Sequence, residues 1–326
     1  MIPNSACAPA VSADRKRIAE STGKTAVKIA MENLKPSDYL SEKNFLNALI
    51  VLSSIGGSTN GLVHLTAMAG RLGIAIDLIK FDEITKNLPM IVDLKPSGTG
   101  YMEDLYKAGG SQRIFYELKD FLYLDAKSVN GTTLGEEIKN SAKWTQNIIT
   151  NKSNPVFNAG SIAVLKGTLA PNSAIIKQSA ATESLLIHEG RAVVFEGLED
   201  LANRIDRDDL DVTKDDVLVL KSIGPKGGPG MPEAGLIPIP KKLAKQGVKD
   251  MVRISDGRMS GTASGTIILH VTPESYENGP LAIVENGDLI KLDVPKRKID
   301  LMISEEEIAE RPVSYTHLRA HETFHD

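Results

Sequence analysis

The sequence predicts a helix-rich first half followed by a β-barrel-like domain with a few helices, and three observations predict it. The chain has 326 residues, enough for two domains of ordinary size. Up to about residue 150 the apolar residues recur at helical spacing. From Asn154 onward short apolar runs alternate with turn residues, with only two helical stretches among them.

Taken in order, Asp14-Arg15-Lys16-Arg17 opens a helix that runs through Ala26–Met31. Phe45, Leu49 and Leu52 mark a second helix over 41–54, with Ser41 placed to cap it. Gly56-Gly57 breaks that helix, Ser58, Thr59 and Asn60 supply caps for the next, and its apolar face Leu62, Leu65, Ala69 and Leu72 ends at Gly73. His64 lies in this helix with no metal-ligand partner at suitable spacing, so it reads as a structural histidine. Pro89 and Pro96 bracket a short apolar run, 90–94, and the stretch beyond carries Trp144. In the second half the strand candidates are 162–165, 174–177, 192–195, 217–220, 252–254, 266–271, 281–284, 289–292 and 299–303. Residues 198–205 and 241–246 read as helices, and Asn286-Gly287 between two runs predicts a hairpin. These textures divide the chain into 1–152, 153–312 and 313–326.

Composition narrows the function classes. Charged residues are 25% and hydrophobic ones 41%, as in a water-soluble globular protein, and a net charge of −4 points to neither nucleic acid nor a membrane surface as partner. No apolar run approaches the roughly 20 residues of a membrane helix. The first residues lack the basic and apolar regions of a secretory signal, and the single cysteine, Cys7, fits a reducing compartment, so a cytoplasmic location is expected.

Chemistry concentrates in two Gly-rich loops, each behind an apolar run. The first interleaves Gly224, Gly227, Gly228 and Gly230 with Pro225, Pro229 and Pro232 and ends on Glu233. The second reads Asp256-Gly257-Arg258-Met259-Ser260-Gly261. Glycine lets backbone N–H groups approach a ligand closely, so spacing alone suggests an anionic-ligand site and names no reaction. On residue type alone Ser260 reads equally as a turn hydroxyl and Glu233 as a solvated loop carboxylate, while Lys177 and Lys226 read as surface lysines. The tail contains His321-Glu322-Thr323-Phe324-His325, the HExxH zinc pattern, with His317 as a possible third ligand; the reading is rejected because the motif needs a packed catalytic helix and a further ligand downstream. Residues 313–326 differ so sharply in composition from what precedes them that they read as a non-native tail.

Five motifs are specific enough to carry a family resemblance: GGSTNGLVHL (56–65), DLKPSGTGYMEDLYKAGG (93–110), AVLKGTLAP (163–171), GPKGGPGMPE (224–233) and SDGRMSGTASGTIILHVTPE (255–274). Together they resemble the dihydroxy-acid and phosphogluconate dehydratase family, over about residues 3–312. RAVVFE (191–196), MVRISDGRMSGTA (251–263) and the ILHVTPE ending look closest to its sugar-acid, or aldonate, branch. The resemblance implies a hydro-lyase that removes water from a 2,3-dihydroxy carboxylate or aldonic acid to give a 2-keto acid. It implies an iron–sulfur cluster, [2Fe–2S] or [4Fe–4S], acting as Lewis acid on the C3 hydroxyl, and a Mg²⁺ ion holding the carboxylate and C2 hydroxyl. Ser260 matches the family's base and Glu233 its Mg²⁺ ligand; Arg258 is a candidate for the substrate carboxylate or for pairing with Asp256.

The resemblance also implies an α/β N-terminal part, here truncated. The family's three cluster cysteines, its other Mg²⁺ carboxylates and a carbamylated lysine match no positions of this sequence, and Cys7 matches none of those cysteines. The chain is therefore expected to be the C-terminal part of a longer enzyme, holding no iron–sulfur ligands and inactive alone. The expected partners are a small dihydroxy or sugar acid and, by resemblance, further copies in a homodimer or homotetramer. A non-catalytic anion-binding β-barrel module is the alternative, distinguished by having no need for a base at Ser260.

Overall fold

The computed structural model of the chain describes residues 5–139, 141, 146–228, 230–304, 306–308 and 310–311. Trp144, Pro229 and the tail 313–326, with its HExxH pattern, lie outside the described residues. The chain forms two compact units, Met1–Ser161 and Ile162–Asp326.

Eight helices appear among the described residues of the first unit: α1 (Ala13–Met31), α2 (Pro36–Tyr39), α3 (Glu42–Ser54), α4 (Asn60–Arg71), α5 (Leu78–Thr85), α6 (Met102–Lys107), α7 (Gly110–Glu117) and α8 (Leu134–Ile138). Their ends follow local chemistry. Ser41 caps α3, with the Asn44 side chain reaching back 3.0 Å to the Ser41 N–H. At the α3–α4 corner, a Cβ on Gly57 would lie 2.4 Å from Leu52 Cδ1, and one on Gly61 2.7 Å from the same atom. The two glycines therefore let α4 fold back tightly on α3. His64 is exposed on α4. The run between the prolines is extended, Met90 bridging Phe157, Val92 bridging Ile149 and Leu94 bridging Gly100. Ile91 and Val92 are fully buried with Ile50, Leu105, Leu118 and Ile149.

The second unit is an eight-stranded, nearly closed sheet in the order β1-β2-β6-β5-β4-β3-β7-β8. The strands are β1 (Ala163–Leu165), β2 (Ser173–Ile176), β3 (Ile187–Phe195), β4 (Val217–Leu220), β5 (Arg253–Ser255), β6 (Ile267–Thr272), β7 (Leu289–Asp293) and β8 (Lys298–Leu301). At the seam Lys166 bridges Lys298 in parallel, through Lys166 N to Arg297 O at 2.9 Å and Ile299 N to Lys166 O at 3.2 Å. The four central strands β3 to β6 are mutually parallel, and the flanking pairs are antiparallel. Helices α9 (Leu198–Arg204) and α10 (Lys241–Lys245) cover the outside of the parallel part. In β4, Val217 and Val219 point into the barrel core while Leu218 and Leu220 pack outward with Leu201, Ile205 and Leu243. Both faces are covered, which is why the run is continuously apolar instead of alternating.

Two expectations are corrected. Residues 281–284 are no strand: Pro280–Ile283 is a buried 3₁₀ turn, begun by a proline that has no N–H to give a ladder. Asn286-Gly287 therefore joins no hairpin. Its Asn286 side chain accepts from Val194 N at 2.7 Å, Gly287 has φ +96°, and the chain enters β7, which pairs with β3.

Lys177 also departs from expectation. It is 2% exposed at the end of β2, and its Nζ has no hydrogen-bond partner among the described residues. Burial pushes the amine down to about 8. A lysine that is easier to deprotonate folded than unfolded lowers stability below that value, and the loss is regained as pH rises from about 8 toward its ordinary 10.5. Lys177→Met is expected to raise stability at pH 7 by about 1–3 kcal/mol and to flatten that alkaline rise. Urea unfolding at pH 7 and 10 checks both; a variant less stable than the parent at pH 7 would show that the lysine is paired.

Candidate functional site

The two Gly-rich loops leave the same edge of the barrel. Strands β4 and β5 run parallel with Leu220 opposite Ser255, so the loop after Leu220 and the loop after Ser255 emerge side by side at carboxyl ends. Loops at the carboxyl ends of parallel strands are the usual place for a ligand in α/β sheets.

Asp256 is the hub of this edge. Only 1% exposed, it accepts from Ile223 N at 3.0 Å, from Ser275 N at 2.9 Å and from the Ser275 hydroxyl, tying together the loops after β4, β5 and β6. Its carboxylate is thereby spoken for by backbone and serine donors. Glu274, which follows β6, accepts from Lys226 N and Gly227 N, each at 3.0 Å. A Cβ on Gly224 would lie 2.6 Å from Glu274 Oε2, so this glycine makes room for the carboxylate. The first loop does turn its amides toward an anion, as glycine content predicts, but the anion is a side chain of the same chain. The anion-binding module is accordingly not favoured, because these two amides are already occupied.

Arg258 joins the two loops. Its Nε donates to Met231 O at 2.6 Å, and its own carbonyl accepts from Gly235 N at 2.7 Å. These contacts bracket Glu233, so the Glu233 turn is pinned to a residue two positions before Ser260. Glu233 is exposed and Ser260 half-buried. The Ser260 Oγ lies 3.1 Å from Thr262 Oγ1, and its carbonyl accepts from Ala263 N at 3.1 Å. Met259 and Ala263 anchor the loop by packing on Ile267 and Leu269 of β6. Chemically, this edge offers an exposed carboxylate on a pinned turn, beside a short loop presenting paired hydroxyls.

Sequence reasoning missed Glu274 and three further groups here. Lys221, at the end of β4, is buried and donates to Glu196 Oε1 at 2.8 Å and Ala282 O at 2.9 Å. Thr262 carried a signal, since a hydroxyl two residues after a serine often turns back on it. His270, inside the apolar run of β6, carried none; burial and the nearby Arg258 charge push its imidazole down to about 4. Lys226, by contrast, is an exposed lysine paired with Glu277 at 2.8 Å. Among the described residues no helix is long and apolar enough to cross a membrane, and no three His, Cys, Asp or Glu side chains are grouped to hold a metal.

Comparison with known proteins agrees with this architecture. Residues 1–137 match the family described as dihydroxy-acid/6-phosphogluconate dehydratase N-terminal, and residues 147–325 match its C-terminal counterpart. The chain is 44% identical over 312 residues to an L-arabinonate dehydratase of Rhizobium leguminosarum bv. trifolii (strain WSM2304), covering 95% of this chain and 54% of that one. It is 44% identical over 313 residues to an L-arabonate dehydratase of Azospirillum brasilense, covering 95% and 54%. To a dihydroxy-acid dehydratase of Carboxydothermus hydrogenoformans it is 40% identical over 313 residues, covering 95% and 56%. The chain spans about half the length of the curated relatives it matches. On both halves of its length, this chain belongs to the dihydroxy-acid/6-phosphogluconate dehydratase family.

Proposed function

We propose that this chain contributes the base and one metal ligand to a hydro-lyase acting on a sugar acid, converting an aldonate or related 2,3-dihydroxy carboxylate to a 2-keto acid. The observation that carries the reading is the Arg258 link, which holds the Glu233 turn against the Ser260 loop at the carboxyl ends of β4 and β5. The higher identity to two aldonate dehydratases than to the dihydroxy-acid dehydratase supports the sugar-acid choice.

Glu233 fits a Mg²⁺ ion as a single hard oxygen donor, since this ion is commonly held by one or two carboxylates completed by water and substrate. Bound there, it would supply charge stabilisation at the substrate carboxylate. Ser260, once deprotonated to the alkoxide that nearby positive charge favours, would take the C2 proton on Oγ, with Thr262 Oγ1 as its hydrogen-bond partner. An iron–sulfur cluster does not fit this chain's own residues: Cys7 is the one cysteine of the sequence, it is buried, and such clusters need several thiolates. No step is therefore assigned to a cluster here, and the chain alone is expected not to turn over. A cytoplasmic location and assembly as a homodimer or homotetramer accompany the proposal.

The test uses Mn²⁺ as a paramagnetic stand-in for Mg²⁺, with L-arabinonate, on the isotope-labelled chain. Amides from Met231 to Gly235 and from Arg258 to Thr262 are expected to broaden with metal and sugar acid present, and Glu233→Gln to abolish the effect. Unmoved signals at both loops would end this reading of the site, and 2-keto acid formed by the chain alone would end the claim of inactivity.

A further inference from the structure

Arg258 is the unmatched cation of the site edge. Lys221 and Lys226, in the chain leaving β4, each carry a carboxylate, Glu196 at 2.8 Å and Glu277 at 2.8 Å. Arg258 carries none among the described residues, where its side chain makes one hydrogen bond, from Nε to the Met231 carbonyl at 2.6 Å. Asp256, two residues before it, does not serve as its partner. One oxygen of that carboxylate accepts from Ile223 N, and the other from Ser275 N and the Ser275 hydroxyl.

That single bond fixes the group in place. A guanidinium is planar, so an Nε held on the Met231 carbonyl sets the direction of both Nη atoms. The Nε edge is taken by the carbonyl. The Nη1 and Nη2 edge stays open, and its parallel N–H groups match the two oxygens of a carboxylate. Arg258 is half-buried, so its charge has given up part of its water without receiving a counter-charge, a cost that a bound anion offsets. Arg258 stands two residues before Ser260, and the carbonyl it holds stands two residues before Glu233. An anion on the open edge therefore lies where the Ser260 loop and the Glu233 turn meet.

We propose that Arg258 is a substrate-binding residue whose Nη edge takes the carboxylate of the sugar acid. The inference rests on reading Glu233 and Ser260 as the site, and it adds the group that orients the acid between them. A carboxylate has lone pairs enough to meet the Nη edge and a hard cation together. As the proton leaves C2, charge grows on the carboxylate side, and a guanidinium already fixed there stabilises it more than it stabilises the ground state. An alcohol in place of the acid leaves the guanidinium uncompensated, so the site selects for the anion.

The test uses the intact chain with Mg²⁺ present and its arginine side-chain nitrogens labelled with ¹⁵N. L-arabinonate is expected to shift the Arg258 Nη signals, assigned by their loss in Arg258→Lys. L-arabinitol, the polyol without the carboxylate, and acetate at the same concentration are expected to leave them in place. Affinity for L-arabinonate, followed at the Gly261 amide, is expected to fall at least tenfold in Arg258→Lys, which keeps the charge and loses the fork. Signals unmoved by L-arabinonate, or moved equally by L-arabinitol or acetate, would overturn the proposal. Mn²⁺ broadening reads the metal separately: broadening at the Glu233 turn with Arg258 unmoved ends this inference alone, and a shifted Arg258 without broadening ends the metal reading and keeps the anchor.

Discussion

Replacing Asp250 by alanine is expected to destabilise the barrel unit by about 3–5 kcal/mol, the usual consequence of removing one partner from a buried ion pair. Asp250 sits at the barrel edge opposite the candidate site. It accepts from Arg253 Nη2 at 2.6 Å, Thr266 N at 2.9 Å, Thr266 Oγ1 at 2.8 Å and Thr182 Oγ1 at 2.7 Å, joining the starts of β5 and β6 to the segment after β2. Arg253 is itself buried, and without Asp250 its remaining hydrogen bonds go to the uncharged carbonyls of Ile237 and Met251. Burial pushes the Asp250 carboxyl up, but the hydrogen bonds from Thr182 and Thr266 and the Arg253 charge outweigh it, and the net shift is down. A carboxyl more acidic in the folded than in the unfolded chain gives stability that is present above its unfolded value, near 3.9, and lost as pH falls through its folded one. Asp250→Ala should therefore lower stability at pH 7 and also flatten the acid limb below about pH 4. Urea midpoints at pH 7 and pH 3.5 measure both, and a loss under about 1 kcal/mol at pH 7 would mean the threonines and Arg253 find other partners.

Asp256→Ala is expected to cost about 2–4 kcal/mol, because it strands the buried N–H groups of Ile223 and Ser275 together with the Ser275 hydroxyl. Its signature should be local. Hydrogen exchange at Ile223 and Ser275 should rise far more than at β1 and β2, since the loops after β4 and β6 lose their shared acceptor. Asp256→Asn keeps one acceptor oxygen and should fall between parent and alanine. Uniform exchange across the unit in Asp256→Ala would show that this carboxylate supports the whole barrel and not the loop edge.

Much of this was legible in the residues. Helix α3 followed from Phe45, Leu49 and Leu52 with Ser41 before them, and β4 coincides with the run Val217–Leu220. Parallel pairing was not legible, because strands covered on both faces show no alternation to orient them; nothing in VLVL says which neighbour it takes. The run 281–284 looked like a strand because burial, and not ladder pairing, is what makes a segment apolar. At the site, Ser260, Glu233 and Arg258 were marked by glycine-rich surroundings and motif, but the pairing of Arg258 with Met231 is a backbone contact that no side-chain pattern encodes. Glu274 and His270 were invisible for the same reason: each bonds to backbone groups of a loop distant in sequence.

The seam between β1 and β8 bears on how the protein behaves at high concentration. A sheet whose two ends nearly meet leaves little free border, so neighbouring molecules find few unpaired backbone groups to extend. Here that protection hangs on a short joint: the Lys166 bridge, the Thr168 hydroxyl donating to Leu301 O, and Gly167, where a Cβ would lie 2.0 Å from Ile299 O. Damage at this joint would uncover two sticky borders while leaving the apolar interior largely packed. Its first symptom would be clumping of folded molecules, with cloudiness in solution preceding any loss of helix or sheet.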